Sequence, residues 1–490
     1  MNDYVSTGVP GLDYILGGGF LCEGFYLLQG GPGSGKTTLA LQFLMTNSRD
    51  GKPGLYITLT ETRKDLERAC RSHGWSLDAI QVVDLTRSEF NAGGESPYVV
   101  FHPSEVELGE TTRQILAEVE RLKPQYVVFD GLSELRLLAG DPLRYRRQLL
   151  SLKHYFEGQG TTVLLLDDRT SPMGDILPES LVGGNFIMDI ALPGYGGARR
   201  RLHVTKVRGA DFRDGYHDYE IAAGGVVVHP RLVAAEHHER FEPELFSSGV
   251  TNLDVMLMGG LQAGSTTLLL GPAGVGKSTV AMQFVAHALT EGRKAAVFTF
   301  DEVLETLLAR SEKLCMHGIR RYLEGGGLHA QQINPAELSP GGFAAKVGRV
   351  VAGGVKVLVI DSLNGYLSAM PEERFLTTHL HELFAYLNQQ GVVTIVVVAQ
   401  HGLLMANATE LDVSYLADTV LLLRYFEVEA EIRQSIGVFK NRAGPHERWL
   451  RELLIMDTGL RVGEPLRDFR GLMTGVPQYQ GVTRPLAAEG

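Results

Sequence analysis

The chain has 490 residues, 44% of them hydrophobic and 21% charged, with a formal net charge of -11; this is globular composition with enough length for two or three cores. The acidic balance opposes a surface that holds polyanions throughout, because nucleic-acid binding rests largely on phosphate neutralisation by Lys and Arg. Cys22, Cys70 and Cys315 stand singly, which excludes a disulfide framework or a zinc ribbon and predicts buried packing residues in a reducing compartment.

The N-terminal MNDYVSTGVP lacks the basic start and apolar run of a secretory signal, and no later run approaches the roughly 20 apolar residues that cross a bilayer. A cytoplasmic protein without a membrane contact is expected. The segment from Thr7 to Asp13 (TGVPGLD) recurs as Ser248 to Asp254 (SGVTNLD), an offset of 241, and the same offset relates Lys36 to Lys277 and Glu61 to Glu302. Three features in one register mark an internal duplication, in which each copy is long enough to be one α/β domain. The expected organisation is a domain over 1–230, a polar linker over 231–245 that includes His237 and His238, a second domain over 246–470 and a short tail over 471–490.

In the first copy, apolar runs at Tyr26 to Gln29, Leu55 to Leu59, Tyr126 to Phe129 and Thr162 to Leu166 alternate with helical patterns. That alternation predicts two α/β domains, each a mostly parallel sheet flanked by helices and buried on both faces. The first run leads into Gly30, Gly31, Gly33, Ser34, Gly35, Lys36, Thr37 and Thr38. Its counterpart carries Gly271, Gly274, Val275, Gly276, Lys277, Ser278 and Thr279. Both match G-x-x-x-x-G-K-[ST] between an apolar strand and an amphipathic helix, the context in which backbone N–H groups cradle phosphates. ATP is the expected ligand, with Lys36 and Lys277 bridging its β- and γ-phosphates and Thr37 and Ser278 on Mg²⁺.

Asp130 and Asp361 end later apolar strands. A carboxylate there holds the Mg²⁺ shell, although a strand-ending Asp also caps helices. Glu61 in TLTET, and Asp301 with Glu302 in TFDEV, are candidate general bases for in-line attack on the γ-phosphate, or else N-terminal caps of the following helix. Late in each copy, Lys206 with Arg208 and Lys440 with Arg442 lie on predicted strands. Such pairs suit cations delivered to a neighbour's γ-phosphate in a ring, or charges guarding an exposed edge strand.

Together, STGVPGLD and SSGVTNLD, both phosphate loops, the acidic dipeptide position, SHGW at Ser72 to Trp75 and the two Lys-x-Arg strands resemble the KaiC family of double-domain RecA-superfamily ATPases and autokinases. The resemblance runs from Thr7 to about Pro477. It implies a homohexameric double ring with ATP between subunits, Ser72 among the ATP-binding residues, slow hydrolysis, and autophosphorylation in the second ring at Ser414. A signalling role with a KaiB-like or other signalling protein partner follows from the same likeness.

Thr60 stands where the family has a second glutamate, which implies slower hydrolysis in the first domain, or a first ring that holds ATP for assembly. Asp301 and Glu302 imply base chemistry preserved in the second. Tyr415 follows Ser414 where the family has a threonine, and only residues 478–490 follow Pro477, which departs from the long regulatory tail of the family's clock members. The alternative function is a RecA- or helicase-type DNA-dependent ATPase. The sequence shows neither the basic loops nor the zinc or helicase-loading module expected of one, and nucleic acid is not an expected partner.

Overall fold

The computed structural model describes residues 3–48, 53–86, 103–168, 177–194, 196–334, 336–368, 375–400, 414–428, 430–472 and 478–479. The chain separates into two compact units, Met1–Arg231 and Leu232–Gly490.

The first unit is built on nine strands: β1 (Phe25–Gly30), β2 (Gly54–Thr58), β3 (Ile80–Asp84), β4 (Tyr126–Asp130), β5 (Thr162–Asp168), β6 (Gly184–Ala191), β7 (Arg199–Val207), β8 (Tyr216–Ala222) and β9 (Gly225–His229). They lie in the order β9-β8-β7-β6-β1-β5-β4-β2-β3. From β6 to β3 every pairing is parallel, and β7, β8 and β9 extend the sheet antiparallel. The second unit repeats this plan with β10 (Thr266–Gly271), β11 (Lys294–Thr299), β12 (Leu328–Gln332), β13 (Val355–Asp361), β14 (Val393–Ala399), β15 (Thr419–Val428), β16 (Glu431–Asn441), β17 (Arg451–Met456) and β18 (Gly459–Pro465). Its order is β12-β11-β13-β14-β10-β15-β16-β17-β18, the same arrangement read from the other end.

The parallel strands read as continuous apolar runs because both faces are covered. Strand β1 sends Tyr26 and Leu28 into one core and Phe25 and Leu27 into the other, the period-two division of a doubly buried strand. In β10, Leu269 and Leu268 divide in the same way.

The duplicated opening motif is architectural. Ser6 Oγ and Thr7 Oγ1 donate to the Asp13 carboxylate at 2.5 and 2.6 Å, and Thr7 N adds a bond of 2.7 Å. Ser247, Ser248 and Asp254 repeat the arrangement at 2.6 to 2.8 Å. The glycine between adopts φ of 80° at Gly8 and 72° at Gly249, a region open to glycine at little cost.

The stretch after Arg231, expected to be a solvated linker, is exposed at Ala235, Glu236 and from His238 to Leu245, and it also bonds to the second unit: Ala234 N donates to Glu382 at 3.0 Å, the His237 ring meets Tyr386 edge-on, and Gln390 donates to the His237 carbonyl. Of the cysteines only Cys70 is buried, whereas Cys22 and Cys315 are exposed; hydrophobic rank alone does not place a residue that falls at a turn. No helix among the described residues is long and apolar enough to cross a membrane.

Candidate active site

The phosphate loops sit at the carboxyl edge of each sheet, where ligands bind in open α/β folds. Helices α1 (Lys36–Asn47) and α2 (Lys277–Thr290) start at Gly35 and Gly276, with φ of 98° and 103°, and neither has a side-chain N-cap. The first N–H groups of each helix therefore stay available to an anion. The left-handed backbone at these two positions favours glycine, and a Cβ there would also press on the tip of Ile221 or Ile455, 2.8 and 2.5 Å away.

Both lysines curl back over their loops. Lys36 Nζ donates to the carbonyls of Gly30 and Gly31 at 2.8 and 3.2 Å, and Lys277 Nζ to those of Gly271 and Pro272 at 2.9 and 2.7 Å. A tyrosine reaches each loop, from antiparallel β8 in the first unit and from β15, the parallel neighbour of β10, in the second: Tyr219 donates to the Ser34 carbonyl at 2.6 Å and Tyr425 to that of Ala273 at 3.4 Å.

Asp130 and Asp361 close strands β4 and β13 beside the loops. Burial pushes both carboxyls above their ordinary range, because desolvation disfavours the charged form. The Tyr56 phenol, donating to Asp130 at 2.6 Å, opposes that shift in the first unit, and the Ser278 hydroxyl does so for Asp361. Thr37 and Asp130, like Ser278 and Asp361, make all-oxygen donor pairs that suit a hard divalent cation. Mg²⁺ commonly takes one or two carboxylates and fills its shell with water and phosphate oxygens. Among the described residues no group of three or more His, Cys, Asp or Glu is placed to hold a metal ion.

The candidate bases differ between units. Glu61 is fixed at the end of β2 by Thr58, whose hydroxyl donates to the Glu61 carbonyl at 2.8 Å and accepts from its N–H at 2.9 Å. Burial raises the Glu61 pKa, and the charges of Asp130 and Asp65 add to it against the pull of Lys36. Helix α3 (Arg63–Ser72) then starts on a capping box between Thr62 and Asp65, so the cap role is filled by those residues. In the second unit, Glu302 is gripped by Arg310 from helix α4 (Leu304–Lys313) through bonds of 2.8 and 2.9 Å. Asp301 accepts from Ser362 Oγ at 2.5 Å. Ala69 occupies the position of Arg310 in the first unit. Glu302 is thus held by an ion pair that has no counterpart at Glu61 among the described residues.

Lys206 and Arg208 end β7, and Lys440 and Arg442 end β16. Neither strand is an edge: β7 lies between β6 and β8, and β16 between β15 and β17. The ladder to β8 covers only Arg201 to His203 and that to β17 only Gln434 to Ile436, however, so Lys206 and Lys440 stand on stretches paired on one side, and the edge-guarding reading stays open. Lys206 pairs with Asn185, which pairs with Leu27, three residues before Gly30; Lys440, Val420 and Leu268 stand in the same relation to Gly271. At about 3.3 Å per residue this sets both cations roughly 10 Å back from the phosphate edge of their own sheet. Lys206 Nζ rests on the Glu179 carbonyl at 2.5 Å and Lys440 Nζ on that of Ala417 at 2.7 Å.

Ser72 lies at the exposed end of α3 and donates to the Ala69 carbonyl at 2.8 Å. Its neighbour His73 approaches the Ala222 carbonyl at 3.2 Å, one residue past the Ile221 that abuts Gly35. Ser72 is thus on the flank of the loop and apart from the phosphate cradle. Ser414 opens a 3₁₀ turn, Ser414–Leu416, while its side chain and the preceding residues 401–413 fall outside the described residues.

Several residues absent from the expected site contact it, and four of them are Tyr56, Asp168, Tyr219 and Arg310. Asp168 had a usable signal, a carboxylate ending an apolar strand; the other three depend on strand order and helix rotation.

Two tandem RecA-like units, each with a lysine-bearing phosphate loop, a strand-ending aspartate and a carboxylate on the neighbouring strand, define a double P-loop ATPase. The chain belongs to the KaiC ATPase family, whose profile matches residues 5–233 and again 246–467. It is 26% identical to circadian clock protein KaiC3 of Synechocystis, over 97% of this chain and 94% of that protein. It is 25% identical to circadian clock oscillator protein KaiC of Synechococcus elongatus, covering 96% and 91%, and to that of Prochlorococcus marinus, covering 96% and 95%.

Proposed function

We propose that the chain is a ring-forming ATPase, most simply a homohexamer, that binds ATP with Mg²⁺ at both phosphate loops and acts in signalling through a KaiB-like or other protein partner. The observation that carries this reading is the strand register. Lys206, Arg208, Lys440 and Arg442 stand back from the phosphate edge of their own sheet, which supports their meeting a nucleotide held by an adjoining protomer.

In each unit the loop amides and lysine bind and orient the triphosphate. Thr37 with Asp130, and Ser278 with Asp361, would hold Mg²⁺, which when bound offsets charge on the β- and γ-phosphate oxygens. Glu61 accepts a proton from the attacking water, and its raised pKa makes it a stronger base than an ordinary surface glutamate. In the second unit Glu302, once parted from Arg310, does the same for water or for the Ser414 hydroxyl, so that autophosphorylation and hydrolysis share one base.

Light scattering behind size-exclusion chromatography, with and without Mg-ATP, tests assembly, and phosphate release tests turnover. A nucleotide-loaded protein that stays monomeric contradicts the ring. Mass spectrometry that finds no phosphate on Ser414 after long incubation removes the autokinase activity and leaves the ATPase standing.

A further inference from the structure

Strand β5 ends in two aspartates that face opposite ways, as successive strand residues must. Asp167 is buried and anchored: Arg136 Nη2 reaches its two oxygens at 3.4 and 3.3 Å, and Gln29 Nε2 donates to it at 3.4 Å. That anchor holds the end of β5 in place. Asp168 then projects to the phosphate loop, where its carboxylate forms an ion pair of 2.7 Å with Lys36 Nζ, whose side chain is only 10% exposed. The strand register pairs Asp168 with Gly30, and the equivalent register in the second unit pairs Ala399 with Gly271. Among the described residues, Lys36 thus has a carboxylate partner from the register position that holds the methyl group of Ala399 in the second unit.

We propose that Asp168 is a latch on Lys36 which the γ-phosphate of ATP must displace, making the first site the weaker ATP binder and the one that separates ATP from ADP less sharply. The inference rests on the reading of both loops as ATP sites. Lys36 cannot satisfy Asp168 and a triphosphate at full strength together, because both claim the same ammonium at contact distance. Once released, the Asp168 carboxylate remains at the carboxyl edge of β5 beside the loop, where it repels the extra charge that ATP carries and ADP lacks. Ala399 imposes neither cost on the second site.

The test uses the full chain and isothermal titration with Mg-ATP and Mg-ADP. In a Lys277→Ala background, which leaves the first site to be read, Asp168→Asn should tighten Mg-ATP about tenfold, the scale of one partly screened ion pair. Mg-ADP should tighten less. The reciprocal change, Ala399→Asp in a Lys36→Ala background, should weaken Mg-ATP by a similar factor, and it carries the test if Asp168→Asn misfolds by circular dichroism. Unchanged or weaker Mg-ATP binding in Asp168→Asn overturns the latch, the weaker result assigning Asp168 to nucleotide or metal binding instead. If neither background binds Mg-ATP, the ATPase reading fails with it; binding in both without a response to Asp168 sinks the latch alone.

Discussion

Arg310 grips Glu302 with two parallel hydrogen bonds of 2.8 and 2.9 Å, an ion pair that Glu61 lacks among the described residues, where Ala69 stands at the matching position of the repeat. With both oxygens engaged by the guanidinium, the Glu302 carboxylate must give up a charge-assisted bond before it can reach a water or a hydroxyl.

Removing the grip should therefore raise turnover. With Lys36→Ala silencing the first site, Arg310→Ala is expected to increase phosphate release a few-fold, on the order of 1 kcal/mol once solvent screening of this partly exposed pair is allowed for. Glu302→Gln in the same background should abolish it. A decrease on losing Arg310 would recast that residue as support for the base.

The first site should titrate at an unusually high pH for a glutamate. Burial and the neighbouring Asp130 charge raise the Glu61 pKa, and a general base works only when deprotonated. In a Lys277→Ala background, activity should fall as pH drops through a value above the ordinary glutamate range. Because a raised carboxyl is an acid that folding makes weaker, its proton contributes stability at low pH that is lost as pH rises through the folded pKa. Glu61→Gln should accordingly raise the nucleotide-free melting temperature near neutral pH, with the gain shrinking in acid. A pH–rate profile without that acid limb would remove Glu61 from the base role.

Cations placed away from their own loop predict complementation between protomers. Lys36→Ala and Arg208→Ala proteins, each also carrying Lys277→Ala, should be inactive alone. Mixed in equal amounts and allowed to reassemble, they should regain about a quarter of the first-site activity, the share of interfaces that join an intact loop to an intact arginine in a head-to-tail ring. No recovery on mixing would place Arg208 in its own site.

Tyr219 donates to the Ser34 carbonyl from a buried position, which pins the loop to β8. Tyr219→Phe deletes one bond, worth about 1 kcal/mol, and should weaken ATP binding at the first site roughly fivefold. Calorimetry in the Lys277→Ala background measures this, and unaltered affinity would show that the glycines alone shape the loop.

The amino-acid sequence by itself determined the duplication, the α/β class and the two phosphate loops, because each is written in contiguous residues: a repeated turn closed by Asp13 and Asp254, apolar runs long enough to be doubly buried strands, and glycines at the two positive-φ positions before each lysine. Tertiary structure alone decided which charges meet. Lys36 finds Asp168 only because β5 lies beside β1; Tyr56 finds Asp130 because β2 lies beside β4; and Arg310 reaches Glu302 because the rotation of α4 turns it back toward the residues just ahead of that helix. Strand order and helix rotation set those partnerships, and with them the difference between two sites that local sequence presents as near copies.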